Sequence, residues 1–238
     1  MPENDVLCVI PARGGSKGIP KKNIKAFCHK PLFIWSIYAA LESTKITSVV
    51  VSSDCAEVKS VFDRYKFLDK KRLVWLDRPE SISLDSSSTE EAIVHAIKSA
   101  GKATKYVVTL QPTSPIRRKG MIDDALNKIT DSKRTSLMSV KQHTPFFVLK
   151  QGDQVKWLYN PNARKMRQEL SEEEMLYHDD GNLYITECEF VCANQCRLDS
   201  HPYLYINDVP SSMQIDTQLD FDILQKMKQE ILPQELYI

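Results

Sequence analysis

The sequence contains no run of about 18 uninterrupted apolar residues, the length a membrane span requires. Its first apolar stretch, at residues 6–10, is too short for the core of a secretory signal, so a cytoplasmic protein is expected. Charge of one sign is also missing. The 32 basic and 31 acidic side chains leave a net +1 at pH 7, too little to hold the chain on nucleic acid or an anionic membrane, and no nucleic-acid-binding module is recognisable. Any anion must therefore be held locally. Cysteines are present but unorganised: positions 8, 28, 55, 188, 192 and 196 have neither the paired spacing of a zinc ribbon nor the density of a disulfide scaffold. Free thiols are expected. Cys188, Cys192 and Cys196 recur every four residues, with His201 close behind, but one helical stripe makes a poor tetrahedral site, and packing is the better reading. Repeats are absent, and 238 residues with 42% hydrophobic content suit one compact domain.

What is present alternates. Residues 6–10 are closed by Pro11 and read as a buried strand entering a basic, glycine-bearing loop. Pro31 introduces LFIWSIYAAL, whose length and apolar density predict a helix with proline in its first turn. SVVVSSD at 48–54 is a β-branched strand, 56–65 a helical pattern and 73–75 a short strand. Ser88 reads as the N-cap of TEEAIVHAIKSA, with acids in its first turn. Another apolar run, 105–110, ends in QPTSP, and 119–129 is helical in pattern. This order predicts an α/β fold with a mostly parallel sheet flanked by helices on both faces. From Ser136 the rhythm changes to antiparallel strands, and residues 141–182 read as an excursion suited to dimerisation. The chain returns with NLYIT, a helix at 187–195, a strand at 203–206 and a closing helix near 218–231.

In open α/β sheets ligands collect at the carboxyl ends of the strands. The first exit, Pro11 to Asn23, combines three glycines and a hydroxyl with the cations Arg13, Lys17, Lys21 and Lys22. Glycines let backbone N–H groups approach phosphate oxygens, and the cations offset charge, so the composition is that of a polyphosphate cradle. Its spacing fits neither G-x-x-x-x-G-K-[ST] nor G-x-G-x-x-G, which leaves a basic surface turn as the alternative. His95 sits in an apolar helical pattern and reads as core; the serines at 86–88 suit capping better than nucleophilic chemistry.

The same residues carry a resemblance. IPARGGSKGIPKKN at 10–23 resembles the signature loop of the acylneuraminate cytidylyltransferases, the CMP-sialic acid synthetase family. It extends in order through VVVSSD at 49–54, RPE at 78–80, DSSST at 85–89, LQPTSPIR at 110–117, GNLYI at 181–185 and IDTQLDF at 215–221. The resemblance implies a Rossmann-like nucleotidyltransferase, usually a homodimer, whose excursion reaches the partner subunit. It implies transfer of CMP from CTP to the anomeric hydroxyl of a nine-carbon 2-keto sugar acid, with Mg2+ and release of pyrophosphate. Carried over by position, Arg13, Gly14, Ser16, Lys17, Lys22 and Asn23 surround the CTP phosphates and ribose, with Arg78 and Ser88 nearer the nucleotide. Gln111, Arg167, Gly181 and Asn182 fall to the sugar, and Arg13, Lys22 and Asp216 to catalysis.

Two departures stand out. The family has a D-x-D pair where this chain reads Gln214-Ile215-Asp216, so a metal would meet one carboxylate and one neutral amide, with Asp208 a candidate to compensate. Asp216 also suits the N-cap of the closing helix. In addition, His178-Asp179-Asp180 stands where the sialic branch has a basic residue and P-N-G. Legionaminic or pseudaminic acid is therefore a candidate sugar. Rival readings are an enzyme for the eight-carbon acid Kdo or another nucleotide, and a weakened nucleotide-binding protein.

Overall fold

A computed structural model describes residues 5–15, 18–67, 70–101 and 104–238. Its centre is β1 (Val6–Pro11), where alternate side chains serve two apolar layers: Val6, Cys8 and Ile10 face one, Leu7 and Val9 the other. Such a strand is buried on both faces and needs helices on each side. α1 (Leu32–Glu42), α2 (Ala56–Arg64) and α4 (Met121–Ser132) cover the first layer. α3 (Thr89–Ala100) and α5 (Cys188–Asn194) cover the second. Ser88 caps α3 as expected, its hydroxyl accepting from Glu91 N while Glu91 accepts from Ser88 N.

Apart from the short hairpin β2 (Ala26–Phe27) and β3 (Lys30–Pro31), the main sheet contains β4 (Ser48–Ser53), β5 (Leu73–Asp77), β6 (Tyr106–Leu110), β7 (Ser136–His143), β10 (Leu176–Glu187) and β11 (Tyr203–Ile206) beside β1. Strand order is β11-β7-β10-β6-β1-β4-β5. Only β10 runs antiparallel to its neighbours. From β1 the chain builds outward to β4 and β5, then crosses back to place β6 on the other side. This reversal opens the crevice where such sheets bind ligands.

Residues 141–143 pair with 176–178 inside the main sheet, so the segment leaving it is 144–175, shorter at both ends than the sequence pattern suggested. The reason is that β7 and β10 continue past the domain body as a long two-stranded ladder. The arm beyond carries the ribbon β8 (Val148–Gln151) and β9 (Gln154–Trp157), followed by three one-turn 3-10 helices. Its apolar side chains Phe147, Leu149, Trp157 and Met166 are exposed.

The closing helix α6 (Gln218–Glu230) starts one residue later than an Asp216 cap would place it. Thr217 is the cap, accepting from Asp220 N, and Asp220 accepts in return from Thr217 N and Asp216 N. A capping box thus does the work that was open to Asp216. Cys188 and Cys192 pack against the second layer, Cys196 is exposed, and all six thiols are free. Among the described residues no group of three or more His, Cys, Asp or Glu could hold a metal.

Candidate active site

The exits of β1, β5 and β6, the start of α3 and the approach to α6 bound a cleft of about 420 Å³. Arg13, Lys22 and Asn23 come from the loop after β1, Arg78 from the turn after β5, Ser88 from the cap of α3, Gln111 and Thr113 from the loop after β6, and Asp216 from the turn before α6. Seven residues expected from the sequence therefore share one cavity: Arg13, Lys22, Asn23, Arg78, Ser88, Gln111 and Asp216. Ser16 and Lys17 lie outside the described residues.

The cations are prepared in different ways. Arg13 Nη1 reaches Leu84 O and Asp85 Oδ1, both at 3.2 Å, and the ion pair is solvent-exposed. Arg78 is buried, with Nε on Ser52 Oγ at 3.1 Å and Nη2 on Ser52 O at 2.8 Å, which fixes the guanidinium to the end of β4. Lys22 Nζ donates to Ile215 O at 2.8 Å, tying the first loop to the last turn. Burial lowers the Lys22 ammonium below the ordinary lysine value, with Asp216 and Asp220 pulling upward and Arg13 adding to the fall. Arg78 is likewise lowered by burial, partly offset by Asp54. Both cations are under-neutralised by the protein, and an anion in the cleft would relieve them.

Close approach dictates the glycines. A Cβ on Gly18 would strike Asp216 O, and one on Gly14 would come within 2.8 Å of the Cys55 Cβ. Gly14 N donates to Asp54 Oδ1 at 2.9 Å, so Gly14 anchors the loop to the β4 exit and does not line the cleft. Asn23 Nδ2 holds Arg13 O at 2.8 Å from within the loop.

Five other expected site residues lie away from the cleft lining. Asn182 is buried and spends its amide on Ile116 O and Ser211 O. Gly181 has a φ of +65° and lies under the Gln214 amide, leaving no room for a Cβ. Gln214 packs there and does not join Asp216 in the cleft. Arg167 sits exposed on the arm. Asp208, the possible compensating acid, accepts from Tyr237 OH at 2.8 Å and Ser211 N at 2.9 Å.

Sequence reading missed Arg117. This fully buried guanidinium donates from Nη1 to Ser36 Oγ at 3.0 Å and from Nη2 to Gln111 O at 2.9 Å and Asn182 O at 3.1 Å. It clamps the β6 loop to α1 and β10, and burial pulls it down to about 10. Its cue was an arginine inside the otherwise uncharged LQPTSPIR block.

A metal at this cleft would have one carboxylate. Asp216 is exposed at the rim, and its side chain accepts no hydrogen bond among the described residues. Asp220 is committed to the cap. One free carboxylate fits Mg2+, which commonly takes one or two carboxylates and completes its octahedron with substrate phosphates and water.

A family model described as cytidylyltransferase matches residues 7–234. The chain belongs to the cytidylyltransferase family. This cytidylyltransferase is 29% identical over 231 residues to the CMP-N,N'-diacetyllegionaminic acid synthase of Legionella pneumophila, covering 93% of this chain and 95% of the relative. It is 30% identical to the pseudaminic acid cytidylyltransferase of Campylobacter jejuni, covering 94% and 97%. The N-acylneuraminate cytidylyltransferase of Escherichia coli is 28% identical over 94% of this chain but only 52% of its own length. Among solved structures, a CMP-2-keto-3-deoxy-manno-octonic acid synthetase in complex with CTP superposes with a TM-score of 0.67 at 14% identity, covering 96% of this chain and all of the other. The 4-diphosphocytidyl-2C-methyl-D-erythritol synthase of Anaerococcus prevotii gives 0.68 at 10% identity, covering 95% and 96%. These two show the fold, a Rossmann-like nucleotidyltransferase.

Proposed function

We propose that this cytidylyltransferase transfers CMP from CTP to the anomeric hydroxyl of a nine-carbon 2-keto sugar acid of the legionaminic, pseudaminic or sialic type, releasing pyrophosphate. The observation that carries the reading is the convergence of Arg13, Lys22 and Arg78 with Gln111 and Asp216 at the carboxyl ends of the strands. The full-length relatives named for legionaminic and pseudaminic acid favour the nine-carbon class.

In the reaction the anomeric oxygen forms a bond to the α-phosphorus, the bond from that phosphorus to the bridging oxygen breaks, and pyrophosphate leaves while the hydroxyl gives up its proton. Such transfers are accelerated chiefly by positioning and by neutralising charge on phosphate oxygens. Mg2+, held by Asp216 and the phosphates, would supply further charge neutralisation. Arg13 offers a planar fork of donors from the rim. Arg78 keeps Nη1 without a hydrogen bond among the described residues, and Lys22 presents a partly desolvated point charge. Gln111, held by its carbonyl on Arg117, presents its amide toward the acceptor.

The arm is assigned to dimerisation, with Arg167 meeting the sugar carboxylate in the partner's cleft. Its exposed apolar side chains and the distance of Arg167 from its own cleft lining support this. Among the described residues no helix is long and apolar enough to cross a membrane, in keeping with a cytoplasmic enzyme.

The test is pyrophosphate release from CTP and Mg2+ with a panel of 2-keto sugar acids. Release that requires one nine-carbon acid supports the assignment. Release only with the eight-carbon acid, or with another nucleotide, moves it to a neighbouring branch, and CTP binding without turnover on any acid defeats it.

A further inference from the structure

A second cavity, larger than the cleft, lies elsewhere on the molecule. It encloses about 600 Å³ between α1, the hairpin at residues 26–31 and the C-terminal segment. Lys30, Lys119 and Lys228 line it, and none has a carboxylate partner in an ion pair among the described residues. Glu42 is the only acidic side chain in the lining, and it accepts from Gly120 N at 3.3 Å. Lys228 donates to the oxygen of Ile238, the final residue of the sequence. Even with that oxygen counted as a carboxylate, three lysines face two acids.

The cavity is built, and building it has a cost. The hairpin turns through Cys28 and His29, with φ of +48° and +67°, a conformation non-glycine residues adopt at a cost of about 1 kcal/mol or more. Cys28 N is tied to Gln225 Oε1 of α6, which holds the turn against the helix. Lys30 and Lys228 lie over the Trp35 ring at 5.0 and 4.5 Å from its centroid, so the indole holds two like charges close together. Burial lowers Lys228 to about 8, and Lys30 and Lys119 add repulsion to that fall. An anion of compact, high charge between the three would offset the repulsion that Lys30 and Lys119 exert on Lys228.

We propose that this cavity is a second anion site, separate from the cleft, that takes a polyphosphate group: the tail of a nucleoside triphosphate or free pyrophosphate. Lysines bind phosphate oxygens as point charges that require no single bidentate geometry, and three of them around one cavity suit an anion carrying several charges. The volume exceeds that of the cleft, and the apolar side chains of Leu232 and Ile238 in the lining give an organic body something to rest on. The inference does not depend on the sugar, or on turnover in the cleft.

Titration calorimetry on the full chain tests it, with CTP and inorganic pyrophosphate in separate runs. Wild type is expected to bind two equivalents of at least one ligand, and Arg13→Ala/Lys22→Ala, with its cleft weakened, to keep one. Adding Lys30→Glu and Lys119→Glu to that variant should weaken the remaining equivalent by at least about tenfold, as expected for lost charge-assisted contacts. Lys228→Met gives an independent second variant should the charge reversals disturb the hairpin. Binding of both ligands assigns recognition to the phosphates, and binding of CTP alone adds the nucleoside body. A single equivalent of each ligand in wild type, or a remaining equivalent indifferent to all three lysines, overturns the proposal.

Discussion

Arg13 and Asp216 meet the same cavity and do little for the fold, which makes them separable from the residues that shape it. Among the described residues the Arg13 side chain hydrogen-bonds only to Leu84 O and the exposed Asp85. Arg13→Ala should lower kcat/KM by about two to three decades while leaving the melting temperature nearly unchanged, as for other single electrostatic donors. Steady-state kinetics with parallel calorimetric melting checks both halves. Asp216→Asn should raise the Mg2+ concentration needed for half-maximal turnover with similarly little effect on stability, because Thr217 and Asp220 cap α6 without its side chain. Thr217→Ala should do the opposite, costing about 1 kcal/mol in denaturant unfolding through the lost cap. Lys22 adds a pH signature. Its folded-state pKa is lowered by burial, so the charged form needed for phosphate binding is lost at lower pH than for an ordinary lysine. On the alkaline side, kcat/KM should fall earlier for wild type than for Lys22→Arg, whose guanidinium does not titrate there. Coincident alkaline limbs would remove Lys22 from that role.

Between elements, the cleft is held by close contacts that periodicity does not reveal. Val6–Ile10, 48–54 and 105–110 announce themselves as strands because each is a short apolar run ending in polar residues, and their exits carry Arg13 and Gln111. Ser88 was legible for a similar reason: a hydroxyl three residues before Glu91 is a local signal with a local cause. The boundaries of the arm were not legible, since β7 and β10 continue as a ladder whose pairing is set by partners 33 to 50 residues away in sequence. Arg117 was hidden because its burial depends on three carbonyl or hydroxyl oxygens from α1, β10 and its own loop. Asn182 and Gly181 matched a motif, but their side-chain and backbone demands are structural: one bonds two carbonyls, the other yields space to Gln214. Gly181→Ala should therefore destabilise the protein by about 1 kcal/mol or more, from the left-handed backbone alone, before the collision with Gln214 is added. Arg117→Met removes the charge-assisted hydrogen bonds to Ser36 Oγ and to the Gln111 and Asn182 carbonyls, each worth about 1.5–3 kcal/mol. That variant should lose stability and raise the KM for sugar, whereas a purely structural clamp would lower stability alone.

At the scale of the whole molecule, the chain is a seven-stranded sheet carrying an arm whose apolar side chains face solvent. The body buries Leu7, Val9 and Ile10 completely while the arm leaves Phe147, Leu149 and Trp157 exposed, the surface that the proposed dimer would cover. If the arm crosses a two-fold axis, each working site joins the cleft of one subunit to Arg167 of the other. Arg13→Ala and Arg167→Ala proteins should then each be nearly inactive alone, while their mixture, unfolded and refolded together, should recover about a quarter of wild-type activity, because half the dimers are mixed and each holds one intact site. Sedimentation of Trp157→Glu should give a monomer with the CTP affinity of the cleft largely kept and turnover lost. Recovery in the mixture is the decisive arm, since it cannot arise if Arg13 and Arg167 serve the same subunit's site. Two weak parents giving only their average would place Arg167 outside the reaction and leave the arm as an assembly device.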